Sequence, residues 1–349
     1  MNRSILGDET RALPDSGDAS VFGACIGTSI NHLANLGIRR DDLLSNTNLS
    51  DADIDPVREN TRVLPAGHLL RVYENAVHTT GWSDCGLRYG EVADVTQYGP
   101  LGYAMLSADT DIAAVNLALK YQRLYYGTMA EVSLRLEDGK GIIRIHERLG
   151  SDVGRRFFVE MLLSGFLRFN VMLVGKPTKL LEMRVAYPDP GYSNRYQDLF
   201  ACPVRFESKY HELVFDIGIL ALSLPNADPK TAQALELVCA ELLEAFNKGE
   251  ALANQVRRVI ADRLGDAVSL ATVSRELHFE ERTLRRKLKA ESTSFQIIKD
   301  EVHCERALFL LRDTCLSVNE IASRLGYDAP SNFRRAFRRW TGRSPNFYR

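Results

Sequence analysis

Between Ser269 and the C-terminus the apolar positions fall into a pattern that occurs twice. Leu270, Val273 and Leu277 recur at helical spacing, and Val318, Ile321 and Leu325 repeat them 48 residues later. Ser269 and Ser317 stand just before these stripes, where a hydroxyl can cap the start of a helix. Small Ser274 and Ala322 take equivalent places, as close packing between helices requires. Short turns follow, Leu277 to Glu281 in one copy and Leu325 to Pro330 in the other. Gly326 suits the left-handed conformation of a tight inter-helix turn, and His278 in the matching place is a mild departure.

A second helix follows each turn. At 100° per residue Leu284 and Leu288 share one face, with Arg282, Arg285, Arg286 and Lys289 opposite. In the second copy Phe333, Phe337 and Trp340 lie together, opposite Ser331, Arg334, Arg335 and Arg338, with Asn332 on the flank. The exposed sets are offset by 49 residues because the second turn is one residue longer. Arg285 and Arg335, near the centres of these faces, are read as matching sites. A short helix, a turn and a second helix with a basic outer face is the helix-turn-helix arrangement. Between the copies, Phe295, Ile298, Val302, Leu308 and Leu311 predict one connecting helix from about Ser294 to Arg312. It would span ~28 Å and could hold two recognition helices about one turn of B-DNA apart, ~34 Å.

The front of the chain has a different pattern. A helix is predicted over Thr110–Tyr126 and a buried, Phe- and Leu-rich helix over Arg156–Val174. Glu131–Leu136 and Gly141–His146 alternate around Asp138-Gly139, a hairpin signal, and Leu181–Tyr187 and Glu212–Asp216 read as strands. An α+β domain with an antiparallel sheet follows, ahead of an all-α domain of two helix-turn-helix motifs joined by a long helix. The expected division is a flexible arm at 1–20, a sensor and dimerisation domain at 21–224, a linker and helix at 225–249, and a DNA-binding domain at 250–349. The linker helix carries Leu235, Val238, Leu242 and Phe246, a stripe that needs either the sensor domain or a second subunit to cover it.

Charge sharpens this division. Residues 251–349 hold 19 Lys and Arg against 12 Asp and Glu, whereas the rest of the chain holds 25 against 33. A basic tail on an acidic front points to a polyanion met by the tail alone, and 16 of its basic residues are Arg, whose planar fork suits phosphate and guanine. The six cysteines are scattered without metal-ligand spacing, His68 and His78 lack it too, and no cofactor or metal is expected. No secretory leader and no 18-residue apolar run is evident, so a cytoplasmic protein without a membrane partner is expected. No Ser-His-Asp grouping or phosphate-cradling glycine loop supports an enzyme, and no catalytic residue is assigned. Cys202 before Pro203 lacks the further cysteines that an alkyl-transfer repair centre would need. Tyr121, Tyr125 and Tyr126 with Arg123 either line a pocket or lie half-buried at a helix edge. Arg144 and His146 share a strand face, either as a solvated or cross-strand pair or as an anion site.

The tail resembles the AraC/XylS family of transcriptional regulators from about Val256 to Arg349. The likeness is sharpest at Gly326-Tyr327, the run Ser331-Asn332-Phe333-Arg334-Arg335-Ala336-Phe337-Arg338-Arg339-Trp340-Thr341-Gly342, Ser344-Pro345 and Tyr348-Arg349. The resemblance implies two modules in adjacent major grooves, with Arg282, Arg285 and Arg286 facing one and Ser331, Asn332, Arg334 and Arg335 the next. Gly99–Ser107 and Phe200–Phe206 resemble the sensor domain of ornithine-utilisation-type regulators, which differs from a cupin-type arabinose pocket. The expected protein is therefore a sequence-specific transcriptional regulator, an activator or a repressor. It binds promoter DNA as a homodimer, with a small-molecule effector and RNA polymerase as partners. The alternative is a constitutive regulator whose front domain only dimerises or binds a protein.

Overall fold

The computed structural model describes residues 19–55, 62–150, 152–264, 268–291, 293–314, 316–327 and 329–348, apart from the side chains of 312 and 313. Most of the arm expected at 1–20, with Cys315 and the turn residue Asp328, lies outside them. The chain divides into two compact units between Gly249 and Glu250.

In the first unit, β1 (Ser20–Phe22) and β2 (Val63–Pro65) form an antiparallel pair, so Ser20, the last residue of the expected arm, is strand. Helices α1 (Gly23–Asn35), α2 (Gly67–Thr80), α3 (Cys85–Glu91), α4 (Gly99–Leu106) and α5 (Asp111–Lys120) precede the main sheet. The helix expected over 110–126 breaks at Tyr121, and a separate turn, Arg123–Tyr126, leads to Gly127 at φ 59°. A Cβ on Gly127 would fall 1.7 Å from the Ser20 carbonyl oxygen, so only glycine allows β1 to pass here.

Strands β3 (Ala130–Glu137) and β4 (Lys140–Glu147) form the predicted hairpin, with Asp138 and Gly139 both at positive φ in its two-residue turn. With β5 (Leu180–Arg184), β6 (Val204–Arg205) and β7 (His211–Asp216) they make a sheet of order β3-β4-β7-β5-β6. The sheet is antiparallel except for its last pair: β6 runs parallel to β5, because Ser193–Phe200 forms a helix within the crossover between them. Helix α6 (Asp152–Val174) is long and apolar enough to cross a membrane, yet its Phe157, Phe158, Val159 and Leu163 are buried in this unit's core. It lies so close to α3 that a Cβ on Gly90 would meet Ser164 Oγ at 1.9 Å. Helix α7 (Pro229–Gly249) closes the unit.

The second unit is helical: α8 (Leu252–Asp262), α9 (Leu270–Glu276), α10 (Glu281–Ala290), α11 (Phe295–Asp313), α12 (Val318–Arg324) and α13 (Pro330–Thr341), then a turn at Pro345–Tyr348. It holds two separate apolar cores. Val256, Ile260, Val273, Leu284 and Leu288 build the first, and Ile321, Leu325, Phe333 and Phe337 build the second. Helix α11 supplies Ile298 and Val302 to one core and Ala307, Leu310 and Leu311 to the other. Bending α11 would therefore open a core, and the two modules are joined by a rigid strut.

Candidate nucleic-acid interface

Each module begins with a capped helix. Ser269 Oγ accepts the Thr272 amide at 3.1 Å. Ser317 and Glu320 form a reciprocal capping box, with Ser317 N donating to the Glu320 carboxylate at 2.6 Å and Glu320 N to Ser317 Oγ at 3.2 Å. Each first helix ends in the same way. The Phe279 amide reaches back to the Ser274 carbonyl at 2.8 Å and the Tyr327 amide to Ala322 at 3.0 Å. That pairing needs a left-handed residue between, supplied by His278 at φ 57° and Gly326 at φ 74°. Ser274 and Ala322 are both buried, which lets the paired helices approach.

The second helix of each module presents its basic face outward. Leu284, Leu288, Phe333 and Phe337 are fully buried. Arg282, Arg285, Arg286 and Lys289 on α10 are exposed, as are Ser331, Asn332, Arg334, Arg335 and Arg338 on α13. Helix α10 starts at Glu281 and α13 at Pro330, so Arg285 corresponds to Arg334 and Arg286 to Arg335. The sequence pairing of Arg285 with Arg335 is corrected by one residue.

The guanidiniums differ in what holds them. Arg285 is ion-paired to Glu281 at 2.9 Å within its own helix, and Arg334 donates to Asn319 Oδ1 at 3.0 Å. Arg282, Arg286, Lys289, Arg335 and Arg338 have no ion-pair partner among the described residues, which leaves their charge available to a polyanion. Sequence reasoning did not find Asn319, nor Asp300, which accepts from Arg339 Nη2 at 3.0 Å. They are single polar residues on neighbouring helices, and no periodicity marks them.

In the first unit the other candidates resolve differently. Tyr121 is buried and donates to Glu236 at 3.3 Å, while Tyr125 and Tyr126 border internal cavities. Arg123 is turned to Asn247 at 3.2 Å. Arg144 is ion-paired across the sheet to buried Glu212 at 2.7 Å and lies 3.7 Å over the Tyr210 ring; His146 is exposed. On α7, Phe246 is fully buried, its ring 4.8 Å from that of Phe22, so it is not open to a second subunit. Leu235 and Leu242 are half-buried and Val238 is exposed. The helix turns Cys239, Leu243 and Phe246 inward, so of the two coverings expected for the stripe the unit's own core takes Phe246. Burial pushes the Cys25 and Cys85 thiols up to about 12 and those of Cys202 and Cys239 to about 11, which disfavours the reactive thiolate.

Comparison with known proteins agrees with both units. A family described as the arabinose-binding domain of AraC transcription regulator, N-terminal, matches residues 37–224, and a helix-turn-helix domain matches 273–349. The Ornithine utilization regulator of Pseudomonas aeruginosa is 35% identical over 88% of this chain and 93% of its own length. The HTH-type transcriptional regulator VqsM of the same organism is 28% identical over 76% of this chain and 83% of its own. The crystal structure of transcriptional regulator CdpR from Pseudomonas aeruginosa aligns with a TM-score of 0.47 at 27% identity, covering 92% of this chain and 96% of that one. The chain belongs to the AraC family of DNA-binding transcription regulators.

Proposed function

We propose that the chain regulates transcription by laying α10 and α13 into two adjacent major grooves of promoter DNA, as a homodimer whose first unit responds to a small molecule. One observation carries the reading: two basic helix faces in the same register, on capped modules that share one continuous helix. Arg282, Arg285, Arg286 and Lys289 serve one groove, and Ser331, Asn332, Arg334, Arg335 and Arg338 the other. Phosphate contacts by these side chains fix the position on DNA, and one or two of them on each helix read base edges. RNA polymerase is the expected further partner of such a complex.

The dimer reading is supported by Leu237 and Val238, two apolar side chains left 66% and 39% exposed on α7. Tethering two DNA-binding units makes the second binding event intramolecular, which raises avidity by about 10²–10⁴ where the geometry permits. Sedimentation of the full-length protein tests this. A dimer that becomes monomeric on Leu237→Glu with Val238→Glu is expected. A full-length protein that is monomeric at micromolar concentration removes the dimer reading.

A further inference from the structure

We propose that the cavity between α5, α6 and the sheet is a binding site for a small organic cation, an amine on an apolar body, with Asp111 as its counter-charge. This rests on the sensor role proposed above and names the chemistry of the effector.

The cavity measures about 130 Å³ and is walled by aromatic rings, among them Tyr98, Tyr125, Tyr126, Phe166 and Phe169. Asp111 lines it and is 1% exposed. The carboxylate is poorly served by its own chain. Thr178 Oγ1 donates to Asn170 Oδ1, and Asn170 Nδ2 reaches one Asp111 oxygen at a long 3.4 Å. No donor to the other oxygen is present among the described residues. Burial with so little compensation pushes the acid up to about 6. Its place in the first turn of α5 lets the helix dipole favour the charge, but this gives no reason for the space beside it.

A second feature keeps that space open. Gly165 is buried in the middle of α6 and lines the cavity, yet a Cβ built on it would meet nothing within 4 Å. Glycine disfavours a helix interior, and here no close approach of backbone requires it. A large side chain here would take up that space.

The lining decides the sign of the ligand. It contains no Lys, Arg or His, so a carboxylate or phosphate would be buried without a partner. A cation meets Asp111 at one end and the electron-rich ring faces along its body. A larger cavity of about 680 Å³ shares Tyr98, Tyr125 and Tyr126 with the first and is bordered by Val238, Glu241 and Leu242 of α7. It likewise contains no basic residue. Helix α7 is the last element before the DNA-binding unit in the chain, so a ligand that repacks this wall acts on the segment joining the two.

Isobutylamine, isobutanol and isobutyrate form a matched probe set of about five or six heavy atoms, no larger than the benzene that a cavity of about 150 Å³ accepts. Thermal shift and calorimetry on the full-length protein should show isobutylamine binding at least tenfold more tightly than isobutanol, and no binding of isobutyrate. Asp111→Asn should abolish the preference for amine over alcohol while leaving the alcohol bound. Gly165→Leu fills the space without touching Asp111. It should abolish binding of both while the unfolding midpoint is kept or raised. The proposal is overturned if no probe binds, if amine and alcohol bind alike, if the preference survives Asp111→Asn, or if binding survives Gly165→Leu. DNA affinity with and without saturating isobutylamine separates the site from the sensor role. A bound amine that leaves DNA binding unchanged keeps the site and removes the effector reading.

Discussion

Arg339 in the last turn of α13 donates from Nη2 to both carboxylate oxygens of Asp300 on the connecting helix, at 3.2 and 3.0 Å. This ties the second recognition helix to the strut between the modules. It also separates the arginines into those occupied inside the protein and those free to meet DNA. Arg339, with its side chain 61% exposed, belongs to the first group; Arg286 and Arg335, at corresponding positions, belong to the second.

The first prediction follows from that separation. Arg286→Ala and Arg335→Ala should each weaken specific binding by about 1–3 kcal/mol if each pairs with a base. Arg339→Ala should change stability by less than about 1 kcal/mol, because an exposed ion pair contributes little. It should also weaken binding less than Arg335→Ala. Binding isotherms at one fixed salt concentration check this, and an Arg339→Ala defect larger than that of Arg335→Ala contradicts it.

The turns give a second prediction. Gly326 and His278 occupy the same left-handed place, but only Gly326 lacks a Cβ. Gly326→Ala should destabilise by about 1–2 kcal/mol, whereas His278→Ala exchanges one L-residue for another and should be close to neutral. Urea unfolding followed by circular dichroism reads the difference. Equal losses for both would mean that the strain is not in the turn.

A third concerns pH. Glu160 is 1% exposed and accepts from the Tyr192 and Tyr196 hydroxyls at 2.5 and 2.6 Å, while its Oε2 has no partner. Burial pushes it up to about 7 despite those two donors and the Arg156 charge, with Asp84 adding to the rise. A raised acid holds its proton more tightly folded than unfolded, so stability is greatest below about 4.5 and falls as pH climbs toward 7. Glu160→Gln should therefore stabilise by up to about 3 kcal/mol at pH 8 and by little at pH 4.5. Thermal unfolding across that range tests the sign; a gain confined to low pH contradicts it.

Much of the second unit was legible in the sequence because helical periodicity, capping serines and an internal repeat all report local structure. Eight of the nine exposed positions on α10 and α13 follow from their wheels alone; Asn332, on the flank of its wheel, came with the family resemblance. Pairing Arg285 with Arg335 takes an offset of 50 residues, whereas the second helices, from Glu281 and from Pro330, repeat at 49. The first unit was less legible. The turn at Gly127 is set by β1 passing it, a contact made with residues more than a hundred positions away. The inward face of α7 depends on Phe22, equally remote in sequence. Asp111 gave no signal at all, since an acid in the first turn of a helix is ordinary until its burial is known.

Hydroxyl-radical footprinting on the target promoter tests the two-groove account most directly. Each DNA-binding unit should protect two patches on one face of the duplex, about 10–10.5 base pairs apart. Arg286→Ala should weaken one patch and Arg335→Ala the other. A single patch per unit, or loss of the same patch in both variants, would contradict the account.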